Sequence, residues 1–278
     1  MNVSLAAMLA LALAVYVRLT VRYNARHTHP LSRWYLAAFA GAITTLWLAL
    51  QPPLEPLVDA SFLYHMTQHM LLIYVAAPLL LLSAPVMLVL GALTPEPARR
   101  AGRLLRSPVM RFMTFPVFTW LFFTAAMWGT HLSGLYQAAL EHSVIHFFEH
   151  GLFLFAALLF WQAIIHIGPV SWPMNFSLRI VYVFLAMPQS AFLGLALFQS
   201  GYVLYPHYVA TQGSVAQALA DQRNGGALMW IAGGLLLFII FMIAAAMWGY
   251  HERRLGERLD AQLDRDLLPS FGSVARES

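Results

Sequence analysis

Gln68 to Leu93 reads QHMLLIYVAAPLLLLSAPVMLVLGAL, without a single Arg, Lys, Asp or Glu. Wound as an α-helix it would extend about 39 Å, more than the roughly 30 Å of a bilayer's hydrocarbon core. No soluble domain of ordinary composition needs such a run, and this one decides the fold class. Working outward, comparable apolar stretches cover approximately Asn2 to Val17, Trp34 to Leu50, Pro108 to Gly129, Ser143 to Ile167, Leu178 to Phe198 and Gly225 to Tyr250. The sequence therefore predicts an all-α polytopic membrane protein, a bundle of seven transmembrane helices over residues 1–250, with a polar tail over 251–278.

Composition agrees. Of 278 residues, 60% are hydrophobic and 10% charged, against about a quarter charged in a soluble domain. Cysteine is absent, which removes disulfides, thiolate metal sites and cysteine nucleophiles. All 16 basic residues are Arg. Arg18, Arg22, Arg26 and Arg33 flank the first connection; Arg99, Arg100, Arg103, Arg106 and Arg111 the third; Arg179 the fifth; Arg253, Arg254, Arg258, Arg265 and Arg276 lie in the tail. Only Arg223 falls on the other side. Because Arg near the ends of spans resists translocation, the count predicts an exported N-terminus and a cytoplasmic C-terminus. Orientation alone then explains the net charge of +4, and no nucleic-acid partner is called for. The first stretch has its basic residues after the apolar run, the reverse of a signal peptide, and is expected to be retained.

Thr94-Pro95-Glu96-Pro97 before Arg99 marks a helix start, and Leu255, Leu259, Leu263 and Leu267 recur every four residues in the tail. Both segments suit short helices on the inner membrane surface. Pro78, Pro85 and Pro188 are expected to kink the third and sixth spans, since each removes a backbone donor.

The topology sorts the histidines. His65, His69, His131, His142, His146, His150 and His207 fall on the exported side or in outer halves of spans; His27, His29, His166 and His251 lie inward. His65 and His69 are spaced i, i+4 on the third span, with Met66 and Met70 on the adjacent face, and His142, His146 and His150 form a second ladder at the outer end of the fifth. Both helices run inward from one surface, so the ladders should reach matched depth. Ionisable groups inside a membrane are costly and face the bundle interior, at ion paths, cofactors or metals. A neutral imidazole hydrogen-bonded to a neighbouring helix explains a single such His; two ladders with Glu149 beside them are better explained by one ion. Imidazole suits copper and zinc, thioether favours Cu(I), and carboxylates are scarce. The expectation is a metal site of His65, His69, His146 and His150, for copper, as Cu(I), with zinc second. Met66, Met70, His142, Glu149, Asp221 and Met229 are accessory candidates, Asp221 and Gln222 as groups that orient imidazoles, with Gly225 and Gly226 allowing close helix approach.

The segments His65-Met66-Thr67-Gln68-His69-Met70-Leu71-Leu72, Ala77-Pro78 through Ala84-Pro85, His146-Phe147-Phe148-Glu149-His150, and Asp221-Gln222 before Gly226 and Met229-Trp230 resemble, in that order, the CtaG-like multi-span assembly factors of caa-type cytochrome c oxidase. The resemblance spans about Trp34 to Tyr250. It implies a non-enzymatic factor of the bacterial plasma membrane that handles copper for the oxidase, with oxidase subunits or other assembly factors as partners beside the lipid bilayer. The single-span, cysteine-based copper chaperones that share the label do not look like this chain. A haem-binding electron carrier would need one His on each of two facing helices with room for a macrocycle, and a metal transporter would need ligands along both half-paths; the crowded, one-sided ladders fit either less well.

Overall fold

A computed structural model of the chain describes residues 3–165, 167–168 and 172–274, with side chains through residue 263. His166 and Arg276 lie outside the described residues, and Arg265 and Leu267 are described in backbone only. The order of elements is α1 Val3–Asn24, α2 Arg33–Leu50, α3 Glu55–Val58, α4 Phe62–Leu71, a π segment Leu72–Ala76, α5 Ala77–Leu82, α6 Pro85–Ala92, α7 Pro95–Leu105, α8 Pro108–Met113, α9 Pro116–Leu132, α10 Leu135–Glu141, α11 Ser143–Ile164, α12 Phe176–Gln199, α13 Pro206–Gln212, α14 Val215–Leu228, a second π segment Met229–Gly233, and α15 Gly234–Val274.

The all-α membrane class holds. Among the described residues, six helices or runs of successive helices are long and apolar enough to cross a bilayer: Val3–Asn24, Arg33–Leu50, Phe62–Ala92, Ser143–Ile164, Phe176–Gln199 and Val215–Leu263. The remaining expected stretch, 108–129, is divided at Thr114 and Phe115 ahead of Pro116, because the residue before a proline is pushed out of the helical region; α9 that follows has 17 residues. The tail continues α15 without a break rather than forming a separate short helix.

Packing inverts the pattern of a soluble protein. Phe147 and Phe148 are 70% and 68% exposed, whereas the next residue, Glu149, is 2% exposed. Apolar side chains face outward and the carboxylate faces the interior, as lipid solvation requires. The main core gathers Phe62, Met66, Phe153, Phe160, Trp161, Leu193 and Leu197 among others, with α11 between α9 and the third span and α12 along α14 and α15.

The third span is irregular for local reasons. In the π segment Ala77 N–H donates to the Leu72 carbonyl, so the next carbonyl, Ile73, would look to Pro78, which has no N–H. The Trp161 indole Nε1–H donates to it instead, at 2.7 Å. Farther along, Ala84 is left-handed (φ 51°) before Pro85, and the Tyr16 hydroxyl donates to the Ser83 carbonyl at 2.6 Å. Pro188 sits inside an unbroken α12.

Candidate metal centre

The N-terminal turns of α4 and α11 supply the site. On α4 the i, i+4 spacing aims His65 and His69 to one side; on α11 the i, i+3, i+4 spacing does the same for His146, Glu149 and His150. The two faces meet. The His65 Nε2 to His69 Nε2 separation is 3.1 Å, and Glu149 Oε2 lies 3.7 Å from His65 Nε2 and 3.8 Å from His69 Nε2. His65 and His146 ring centroids are 4.9 Å apart, His146 and His150 4.2 Å, and His69 and His150 5.5 Å. Two sets of candidate ligand atoms each fall within 4.8 Å of one another: His65, His146, His150; and His65, His69, Glu149.

These spacings fit a first-row metal. Two donors on a tetrahedral ion, each about 2.0 to 2.1 Å from it, lie about 3.3 Å apart. Several donors are also unspent: both Glu149 oxygens, His69 Nδ1, His146 Nε2 and His150 Nε2 are buried without a hydrogen-bond partner. Buried polar atoms are ordinarily paired, because an unmet one costs about 1 to 3 kcal/mol, so a concentration of them on two facing helix surfaces is a candidate ligand set.

His65 is oriented from behind. Its Nδ1 lies 3.2 Å from the Tyr208 hydroxyl, which is itself 3.1 Å from the Tyr136 hydroxyl and directs its proton to the Val58 carbonyl at 3.4 Å. The tautomer that donates Nδ1–H to the Tyr208 oxygen is the one that leaves the Nε2 lone pair for a metal. Burial pushes the Tyr136 and Tyr208 phenols, both in short helices outside the spans, well above their ordinary pKa, so both keep their protons.

Residues 14–250 match the profile of the cytochrome c oxidase caa3 assembly factors. The chain belongs to that family. The resemblance drawn from the His, Pro and Asp-Gln segments is thereby borne out. An uncharacterised protein of Mycobacterium leprae is 28% identical over 267 residues, covering 91% of this chain and 40% of its own length. One from Mycobacterium bovis is 28% identical over 235 residues, 79% of this chain and 35% of its own. The chain thus spans two fifths or less of the curated relatives it matches. No solved structure matches.

In this caa3 assembly factor family member the accessory candidates divide. Glu149 stands among the imidazoles. His142 does not continue the ladder: it is the exposed residue before α11, with φ −133°, because the helix starts one residue later. Asp221 touches no imidazole. Its carboxylate accepts from Ser61 Oγ (2.8 Å), Phe62 N (2.6 Å), Leu63 N (3.4 Å) and Gln212 Nε2 (2.9 Å), so it anchors the start of the helix carrying His65 and His69, where the helix dipole favours an anion. Gln222 accepts from Leu204 N (2.8 Å) and donates to the Tyr202 carbonyl (3.2 Å). Met66 and Met229 are buried in the apolar core and Met70 packs against it.

His131 is the residue that spacing did not reveal. It ends α9, its Nδ1 donates to the Met127 carbonyl (2.7 Å), its ring stacks on Tyr136 (5.6 Å) and lies 6.2 Å from His69, and its Nε2 is buried and unpartnered.

Proposed function

We propose that the chain is a non-enzymatic cytochrome c oxidase assembly factor that binds copper, as Cu(I), through His65, His69, His146, His150 and Glu149 at the outer face of a bacterial plasma membrane. In this reading α9 completes a seven-span bundle with the N-terminus outside and the C-terminus inside, and oxidase subunits or a companion assembly factor receive the metal. The observation that carries it is the convergence of four imidazoles and one carboxylate, with unpartnered polar atoms on His69, His146, Glu149 and His150. Imidazoles suit Cu(I), while Glu149 adds a harder donor that Zn(II) also accepts. Ring centroids 4.2 to 5.5 Å apart among neighbouring histidines leave no room for a haem macrocycle between them. Met66 and Met70 remain part of the proposal only as neighbours of α4's ligand face.

The test is maturation in a host whose own copy is deleted. With wild-type chain the membrane oxidase should contain its full copper, and with His65→Ala, at equal expression, the oxidase subunits should accumulate with little copper. A fully metallated, active oxidase in the His65→Ala strain would refute the role.

A further inference from the structure

Four histidines and Glu149 do not form one equidistant set. They form two triads that share only His65: His65, His146 and His150, and His65, His69 and Glu149. The second triad is sealed, with His65 0%, His69 2% and Glu149 2% exposed. An ion from outside cannot meet it first. His146 and His150 are half-buried and, together with Glu55, Gln68, Ser143 and Gly151, line a cavity of about 360 Å³ between the outer ends of α2, α4 and α11. His65, His69 and Glu149 do not border that cavity, so His146 and His150 are the members of the receiving triad that meet an entering ion first. At its surface end are the exposed Glu55 and Ser143; at its depth are the buried Gln68, whose Oε1 is unpartnered, and the unpartnered Nε2 atoms of His146 and His150.

We infer that the centre offers two positions to one migrating copper ion, a receiving position at His65, His146 and His150 reached through this cavity, and a holding position at His65, His69 and Glu149. The inference rests on the copper-binding reading above and specifies its route. Three neutral imidazoles take Cu(I) without a charge partner, which suits a position that must release the ion again. The holding position adds a carboxylate and loses contact with solvent, so an ion there leaves only by way of His65. Glu55, at the mouth, attracts cations without closing a coordination shell. The shared His65, oriented by Tyr208, is the pivot between the two.

The cavity can be blocked without disturbing the fold. A Cβ at Gly151 would meet no atom within 4 Å, and the chain has no cysteine, so Gly151→Cys places a single thiol in the passage. Cu(I) uptake and release to a chromogenic Cu(I) chelator are measured on the full chain in detergent, before and after alkylation with a bulky maleimide. Alkylation should leave the equilibrium copper content unchanged and slow both uptake and release by about tenfold or more, since an obstructed route changes rates and not the bound state. Unchanged rates after alkylation, or a thiol that the reagent never reaches, would overturn the route. His69→Ala should retain copper that the chelator strips rapidly, whereas His146→Ala should load slowly yet hold copper against the chelator; identical behaviour of the two variants would overturn the division into two positions. Absence of copper from the unmodified protein would instead count against the copper reading itself.

Discussion

Glu149 shows how a single side chain can define a site inside a membrane. It is buried, neither oxygen has a hydrogen-bond partner, and two imidazole nitrogens lie 3.7 and 3.8 Å from Oε2. Such an arrangement is costly without a cation, and a bound ion removes the cost. Behind it, Tyr208 fixes the working face of His65. Tyr208→Phe removes the acceptor for Nδ1–H, and outer partners of metal-bound imidazoles typically matter by about 10-fold to 100-fold in affinity. Competition against a Cu(I) chelator should show a loss of that size with stoichiometry preserved; unaltered affinity would mean that Tyr208 merely packs. The sequence makes four of the five residues of the candidate site legible, because i, i+4 spacing is a property of one helix. Glu149 is legible only as a neighbour at i+3. His131 is hidden, since what brings it near His69 is the packing of α9 and α10 against α11. His142 misleads in the other direction: the spacing continues, but the helix does not.

At the scale of elements, glycine and proline set where the helices that carry the site can lie. A Cβ on Gly226 would come within 2.6 Å of Phe198 N and 2.9 Å of the Gly194 carbonyl, and one on Gly194 within 2.6 Å of Trp230 N. These are contacts with backbone, which cannot yield as a flexible side chain does. α12 and α14 therefore touch through glycine on both sides, and α14 in turn supplies Asp221 to the start of α4. Gly226→Ala should separate the pair and cost about 1 to 3 kcal/mol, read as a lower unfolding temperature in detergent together with weaker copper binding; an unshifted transition would show that the contact has slack. The Gly pair and the prolines are visible in the sequence as interruptions, but their consequences differ with surroundings. Pro85 ends a helix where Tyr16 serves the freed Ser83 carbonyl, Pro78 is absorbed by a π segment and Trp161, and Pro188 leaves α12 continuous. None of these partners is near in sequence, so no local pattern announces them.

For the whole molecule, the apolar runs carry the helical membrane architecture, because the bilayer forces every span to be helical and apolar, while the lopsided Arg distribution bears on the orientation proposed for it. The break ahead of Pro116 and the unbroken extension of α15 are the departures, one set by a proline and the other by a tail whose Leu repeat suits continued helix. The proposed orientation predicts that a reporter active only in the cytoplasm works when fused after Ser278 and fails when fused after His131. The opposite pattern would put the histidine centre on the inner face and end its connection with outward copper delivery.

The facing surfaces of α4 and α11 are proposed to hold copper, and metal analysis tests this directly. Copper and zinc are counted per chain in the detergent-purified wild-type protein and in His69→Ala/His150→Ala, which removes a ligand from each triad, with helical content followed by circular dichroism. Stoichiometric copper is expected in the wild type and less than about one-tenth of it in the double variant, since closed ligand sets do not survive loss of a donor from each, at unchanged helicity. Wild-type copper content and affinity in the double variant would contradict it and leave these histidines as packing residues.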